Sequence, residues 1–92
     1  METEFSRELL MLSIKLEETK KNKDFEGAVE IYERFDGLVR EKEEDDDFSY
    51  DCLRLLCDVL DLLEEAVSED EESEIFEQNI SAAVDIIEDI TI

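Results

Sequence analysis

The stretch YDCLRLLCDVLDLLEEAV, residues 50–67, decides the fold of this 92-residue chain. Its apolar residues recur at steps of three and four, which is the spacing of one face of an α-helix. They form two adjacent stripes: Leu53, Leu56, Leu60, Leu63 and Val67, and beside them Leu55, Val59, Leu62 and Ala66. A face this wide is unusual for a peripheral helix. We therefore predict that residues 50–67 form either the central helix of a bundle or a helix in a dimer interface.

Two helices are predicted before this stretch. The first covers residues 3–21 and has a continuous apolar stripe with three flanking residues. The stripe is Phe5, Leu9, Leu12 and Leu16, and the residues expected to widen it are Leu10, Met11 and Ile14. The second helix covers residues 25–41, with Asp24 as its N-cap. Within it, Gly37 either weakens the helix by about 1 kcal/mol relative to alanine or permits a close helix crossing.

A fourth helix is predicted over residues 70–89, after a capping box at residues 68–71. Ser49 is the predicted N-cap of the third helix. The chain has no proline and no segment with the alternating pattern of a strand. The sequence thus predicts an all-α fold, in which about four amphipathic helices pack as a small helical bundle that forms a homodimer. Its length indicates one domain.

The net charge of −21 is distributed unevenly along the chain. Residues 1–42 contain eight Lys and Arg and eleven Asp and Glu, so they form a more neutral hairpin. Residues 43–92 form a strongly acidic hairpin, with nineteen acids and Arg54 as the one base. Such asymmetry indicates an electrostatic role. A surface this negative repels nucleic acid and anionic membranes, and it attracts basic proteins.

Most catalytic and metal chemistry has no support in the sequence. The chain lacks histidine, and two cysteines five residues apart, Cys52 and Cys57, cannot form a structural zinc site alone, so we expect no catalytic residue, metal or cofactor. Asp45–Asp47 lack the glycine and the alternation of a calcium loop, which favours a solvated linker. There is no apolar run of membrane length, and METEFSREL does not resemble a signal peptide. The expected location is the cytoplasm, with both cysteines reduced.

Acids also follow the exterior faces of the two later helices. The third helix has the line Asp51, Arg54, Asp58, Asp61 and Glu65, and the fourth has Glu74, Glu77, Ser81, Asp85 and Glu88. Acids in such a line rise by roughly 4.5–6 Å per step, whereas a DNA strand has one phosphate per roughly 3.4 Å. Several such lines together are therefore needed to match the charge density of a DNA duplex. The candidate partner-binding acids are Glu43, Glu44, Asp45, Asp46, Asp47, Asp51, Asp58, Asp61, Glu65, Glu69, Asp70, Glu71, Glu72, Glu74, Glu77, Asp85 and Glu88.

Three interpretations of this chain stay open at this point. The acids form an ordinary solvated face, or they mimic the phosphates of DNA. Ordinary faces mix acids with bases, whereas residues 43–92 contain one base and nineteen acids. Alternatively, the chain is a helical adaptor that binds a partner through the apolar face of its third helix, where Leu56 or Leu60 would be exposed.

The stretches EKEEDDDFSYD, residues 41–51, and VSEDEESEIFE, residues 67–77, lie between leucine-rich helices. In length and composition the whole chain resembles the DNA-mimic proteins of phage, in particular the Arn-type anti-restriction proteins of T-even phage. The resemblance implies a dimer that displays carboxylates in place of phosphates and blocks host DNA-binding proteins. Its implied partners are a modification-dependent restriction endonuclease or a histone-like nucleoid protein, in the cytoplasm of the bacterial host.

Overall fold

A computed structural model describes residues 3–68 and 74–91, and these form four α-helices. The helices are α1 (Thr3–Asn22), α2 (Phe25–Glu43), α3 (Tyr50–Ser68) and α4 (Glu74–Thr91). The described residues contain no strand, so the prediction of a small all-α bundle is confirmed. The predicted start of the fourth helix at residue 70 lies outside the described residues, as does most of its capping box.

Neighbouring helices of the bundle run in opposite directions. Phe5, near the start of α1, packs against Phe48, which directly precedes the N-cap of α3. Lys20, near the end of α1, donates a hydrogen bond to Ser81 in the first half of α4. Backbone contacts connect α1 with α2, α2 with α3, α3 with α4 and α4 with α1. The four helices therefore occupy the corners of a square in which α1 lies diagonally across from α3.

The helix α3 occupies a corner of this square, so the prediction that it is central is wrong. Among the described residues its backbone approaches α2 and α4 but not α1. The apolar side chains of α3 are therefore divided. Some lie in the core, and others lie on the two sides of the helix that face α2 and α4. Leu56 is fully buried, Leu60 is half-buried, and Leu55 is 40% exposed. The alternative that α3 lies in a dimer interface stays a prediction.

The core consists of one apolar stripe from each helix. Its largest fully buried side chains are Leu9, Leu16, Phe35, Val39, Leu56, Val59, Leu63, Phe76, Ile80 and Ile87. The predicted stripe of α1 is confirmed, but the residues expected to widen it are not buried. Leu10, Met11 and Ile14 are 41%, 57% and 60% exposed. They lie on the solvent side of α1, because α2 and α4 pack against the flanks of its core stripe and leave its outer face uncovered.

Side-chain caps mark where α2 and α3 begin. The Asp24 carboxylate accepts a hydrogen bond from the Gly27 N–H at 3.0 Å, which confirms it as the N-cap of α2. The Ser49 hydroxyl accepts from the Cys52 N–H at 3.4 Å, which confirms the cap of α3.

An ideal Cβ on Gly37 would have no atom within 4 Å, so Gly37 does not permit a close helix crossing.

Candidate partner-binding surface

The acidic connection between α2 and α3 is folded into turns. The Asp45 N–H donates to the Lys42 carbonyl and the Phe48 N–H donates to the Asp45 carbonyl, both at 3.1 Å. The Asp47 N–H donates to Asp45 Oδ1 at 3.0 Å, which is an Asx turn. All five acids from Glu43 to Asp47 are exposed. A hydrogen-bonded backbone thus presents a compact group of carboxylates to solvent.

Phe48 attaches this connection to the bundle. Its ring packs edge-on against Phe5, with the centroids 5.6 Å apart. The Lys42 ammonium lies 4.7 Å from the Phe5 centroid and 5.5 Å from the Phe48 centroid, so the base within the acidic run contacts aromatic rings. Phe48 was not predicted to have this role. The signal for it was available, because an apolar residue directly before an N-cap, with Leu53 five positions later, fits a hydrophobic staple.

The acid line of α3 lies on its solvent face. Asp51, Asp58, Asp61 and Glu65 are all exposed, on the side opposite the buried core stripe. From Asp51 to Glu65 the line rises about 21 Å along the helix axis. Arg54 is also exposed in this line. A basic partner that meets α3 from outside the bundle would therefore contact mainly carboxylates.

The acids of the connection and of α3 join into one surface. Asp45, Asp47 and Asp51 line the same groove, together with Leu55 and Ile90. Asp51 also shares the next groove with Asp58, which continues the surface along α3. We call this surface the α3 strip, and it consists of Glu43, Glu44, Asp45, Asp46, Asp47, Asp51, Asp58, Asp61 and Glu65. It begins at the end of α2, crosses the connection and follows the outer face of α3.

The acid line of α4 is separate from the α3 strip. Glu77 and Asp85 line a groove between α4 and α1, in which Lys20 Nζ donates to Ser81 Oγ at 3.0 Å. Lys21 lines the same groove, so α1 provides bases beside this acid line. The other two predicted acids of α4, Glu74 and Glu88, are exposed. The structure thus orients the α4 line towards α1, on the side of α4 that is remote from α3.

An apolar seam lies between the two acid lines. Leu55 of α3 is 40% exposed, and it shares a groove with Ile90 of α4. Ile86 is one helical turn before Ile90 and is half-buried against the core. The four remaining predicted acids, Glu69, Asp70, Glu71 and Glu72, lie outside the described residues. Among the described acids, only those of the connection and α3 are therefore brought together as one strip.

The α3 strip also affects the ionisation of a nearby thiol. Burial raises the pKa of Cys57, and the neighbouring acids Glu43, Asp61 and Asp58 raise it further. Burial also raises the pKa of Cys52, but no acid contributes there. Neither cysteine is in a disulfide in the structure. The negative charge of the strip therefore affects the pKa of Cys57 and not that of Cys52, so Cys52 can serve as an internal reference for thiol reactivity.

This difference predicts a change in thiol reactivity. Replacing Asp58 and Asp61 by asparagine removes two of the charges that disfavour the Cys57 thiolate. We expect alkylation of Cys57 by the neutral reagent iodoacetamide at alkaline pH to become about threefold faster, because the thiolate is the reactive species. Peptide mass spectrometry measures both sites in one sample. An unchanged Cys57 rate, or an equal acceleration at Cys52, would contradict an electrostatic effect of these two acids.

The described residues show neither a metal centre nor a membrane span. Within residues 3–68 and 74–91, no three Cys, Asp or Glu side chains are grouped so that they could hold a metal ion. In the same part of the chain no helix has the length and hydropathy needed to cross a membrane. These residues define an acidic four-helix bundle with a strip of carboxylates along one corner. No protein-family model, curated protein or solved structure matches the chain.

Proposed function

We propose that this protein is a DNA-mimic inhibitor whose α3 strip occupies the DNA-binding groove of a basic protein. The observation that carries the proposal is the concentration of nine exposed acids on one ordered strip. Its carboxylates take the place of phosphates and pair with Lys and Arg of the target. The proposed targets are host DNA-binding proteins, such as a restriction endonuclease or a histone-like nucleoid protein, in the cytoplasm of a bacterial host. The inhibition is competitive.

The backbone of the strip favours such binding. Four of its acids lie on the helix α3, and the acids of the connection are held by turns and by Phe48. Groups on an ordered backbone lose less conformational freedom on association than groups on a flexible tail. The 21 Å rise of the α3 line is about the length of six phosphates along one DNA strand. The strip therefore offers a strand-like, though sparser, row of negative charge.

Comparison with the mixed charge of α1 indicates that the acidic surface of α3 and α4 is not an ordinary solvated face. The helix α1 contains four acids and four bases, which is the usual mixture for a solvent-exposed surface. The helix α3 contains five acids and one base, and α4 contains five acids and no base. Both kinds of surface occur in one chain of 92 residues. A general requirement for solubility would act on all four helices, so the localised charge favours recognition of a basic partner.

The alternative function, a helical adaptor, requires Leu56 or Leu60 of α3 to be exposed, and it has less support. Leu56 is fully buried and Leu60 is half-buried, so neither is available as an exposed anchor. An adaptor would have to use the apolar seam near Leu55. That seam is bordered by acids on both sides, which again favours a basic partner.

Salt dependence tests the proposed mechanism. We expect the affinity of the labelled protein for a histone-like nucleoid protein to fall at least about tenfold between roughly 50 and 200 mM salt. The physical reason is that salt screens the pairs that replace phosphate contacts. Fluorescence anisotropy without DNA measures the affinity, and circular dichroism at each salt concentration checks that the bundle stays folded. Affinity that does not change with salt would exclude the carboxylate mechanism.

Direct competition completes this test. Addition of the protein should release a labelled DNA duplex from the nucleoid protein, and a higher duplex concentration should restore the complex. A ternary complex of the two proteins with DNA would contradict competitive inhibition. A poly-glutamate peptide of the same net charge, which has no ordered strip, serves as the control for the effect of charge alone.

A further inference from the structure

The solvent face of α1 carries a regular stripe of six exposed side chains. Its members are Glu4, Arg7, Met11, Ile14, Glu18 and Lys21, which we call the α1 stripe. They recur at steps of three and four residues, which is the spacing that faces a partner helix in a coiled coil. Met11 and Ile14 form its centre and are 57% and 60% exposed. Two large apolar side chains at the centre of a solvent face indicate a surface that another molecule covers.

The distribution of charge on the chain indicates how a second copy could cover the α1 stripe. Two copies of a chain with a net charge of −21 repel each other through most of their surfaces. Among the four described helices, α1 is the one with equal numbers of acids and bases. Contact between two α1 helices therefore brings the least like charge together. The outer face of α3, by contrast, would oppose acids to acids.

We propose that two copies of this chain associate through their α1 stripes, with the two helices antiparallel. A twofold axis that passes between residues 12 and 13 places Met11 of each copy against Ile14 of the other. The axis repeats this contact, so four apolar side chains meet at the centre. Leu10 is 41% exposed and flanks this centre. The contact is isologous, as in most dimers of identical chains.

The charged residues of the stripe are complementary in the same register. Arg7 of one copy lies opposite Glu18 of the second copy, and Glu4 lies opposite Lys21 of the second copy. The twofold axis repeats both pairs, so each end of the interface joins opposite charges. A parallel arrangement would instead place each of these charges against its own equivalent, which is unfavourable. The sequence of charges along α1 therefore specifies the antiparallel orientation.

This arrangement leaves the α3 strip accessible in both copies. Since α3 lies diagonally across the bundle from α1, the two strips are on the outer sides of the dimer. The twofold axis is perpendicular to α1, so it keeps both α4 helices on one face and both α2 helices on the other. Two acid lines of α4 then share one face. The dimer does not depend on the proposed inhibition, because it is inferred from α1 alone.

Charge reversal and its rescue test this interface. Sedimentation equilibrium over a range of concentrations should show the 10.8 kDa chain in equilibrium with its dimer. Arg7→Glu places a carboxylate opposite Glu18 of the second copy, and we expect it to weaken the dimer by about tenfold or more. Adding Glu18→Arg to Arg7→Glu restores opposite charges, and the affinity should return to within about threefold of the original.

Arg54→Glu is the matched control for the charge. It changes the net charge as much as Arg7→Glu does, but on the outer face of α3. Circular dichroism verifies that each variant folds, which is expected because both arginines are exposed. A chain that stays monomeric at about 1 mM overturns the proposal. It is also overturned if Arg54→Glu weakens the dimer as much as Arg7→Glu, or if Glu18→Arg gives no rescue.

Cysteine cross-linking tests the orientation. In a background with Cys52→Ala and Cys57→Ala, Arg7→Cys and Glu18→Cys are introduced into separate chains. The mixture should form the 7–18 disulfide much faster than the 7–7 or 18–18 disulfide, because only unlike positions meet across the twofold axis. Mass spectrometry of the oxidised mixture distinguishes the three products. A predominance of the 7–7 and 18–18 products would mean that the helices are parallel and would overturn the register.

Discussion

Replacing four acids of the α3 strip by their amides is expected to weaken binding to a basic DNA-binding protein by on the order of 10²-fold or more. The acids are Asp51, Asp58, Asp61 and Glu65. Each makes a charge pair worth about 1 kcal/mol with a Lys or Arg of the target, and four such losses combine to this range. The amide variants keep the shape of each side chain. The measurement is the dissociation constant for a histone-like nucleoid protein, from fluorescence anisotropy at low salt.

The location of the charge, and not only its amount, is what this prediction tests. The control variant changes Glu26, Glu30, Glu33 and Glu41 on α2 to glutamine, and all four are exposed. Both variants alter the net charge by the same amount. We expect the α2 variant to lose no more than about threefold in affinity, through weaker long-range steering. Equal losses in the two variants would show that binding depends on net charge, and the α3 strip would then have no specific role.

The strip variant should be at least as stable as the original protein. Its acids are exposed and repel one another, so removing four charges relieves repulsion in the folded state. Urea denaturation of both amide variants therefore separates a loss of binding from a loss of folding. A strip variant that unfolds more easily would mean that these acids have a structural role, and its binding data would not support mimicry.

The largest effect on stability is expected from Leu56→Ala. Leu56 is fully buried in the core stripe of α3, where it packs among side chains of the other helices. Truncation removes apolar contacts and leaves a cavity, which together cost about 3–5 kcal/mol. Domains of this size are stable by only about 5–10 kcal/mol, so a large part of the stability is lost. The free energy of unfolding, from urea titration followed by circular dichroism, measures the effect.

The preceding residue provides a matched control for this substitution. Leu55 is 40% exposed beside the apolar seam, so Leu55→Ala should cost less than about 1 kcal/mol. The same pair of variants tests the adaptor hypothesis. If Leu55→Ala abolishes binding to a partner while stability is unchanged, the partner is recognised through the seam. If instead Leu56→Ala has little effect on stability, Leu56 does not pack in the core.

Much of the candidate site could be predicted because its determinants are local. The solvent exposure of Asp58 and Asp61 follows from their position opposite the leucines of the same helix, which is a consequence of helical periodicity. The folded connection could not be predicted in the same way. Its order depends on the contact of Phe48 with Phe5, which is 43 residues earlier in the chain.

By itself the sequence determined the helices, their caps and the outward position of most acids. These features depend on side chains three or four residues apart and on hydrogen bonds such as that of Asp24 with Gly27, so they form wherever the helix forms. Only the tertiary structure decided which flank of each apolar face is covered. That depends on which helices are neighbours, and it is why Met11 is exposed, why α3 is at a corner and why the two acid lines lie apart.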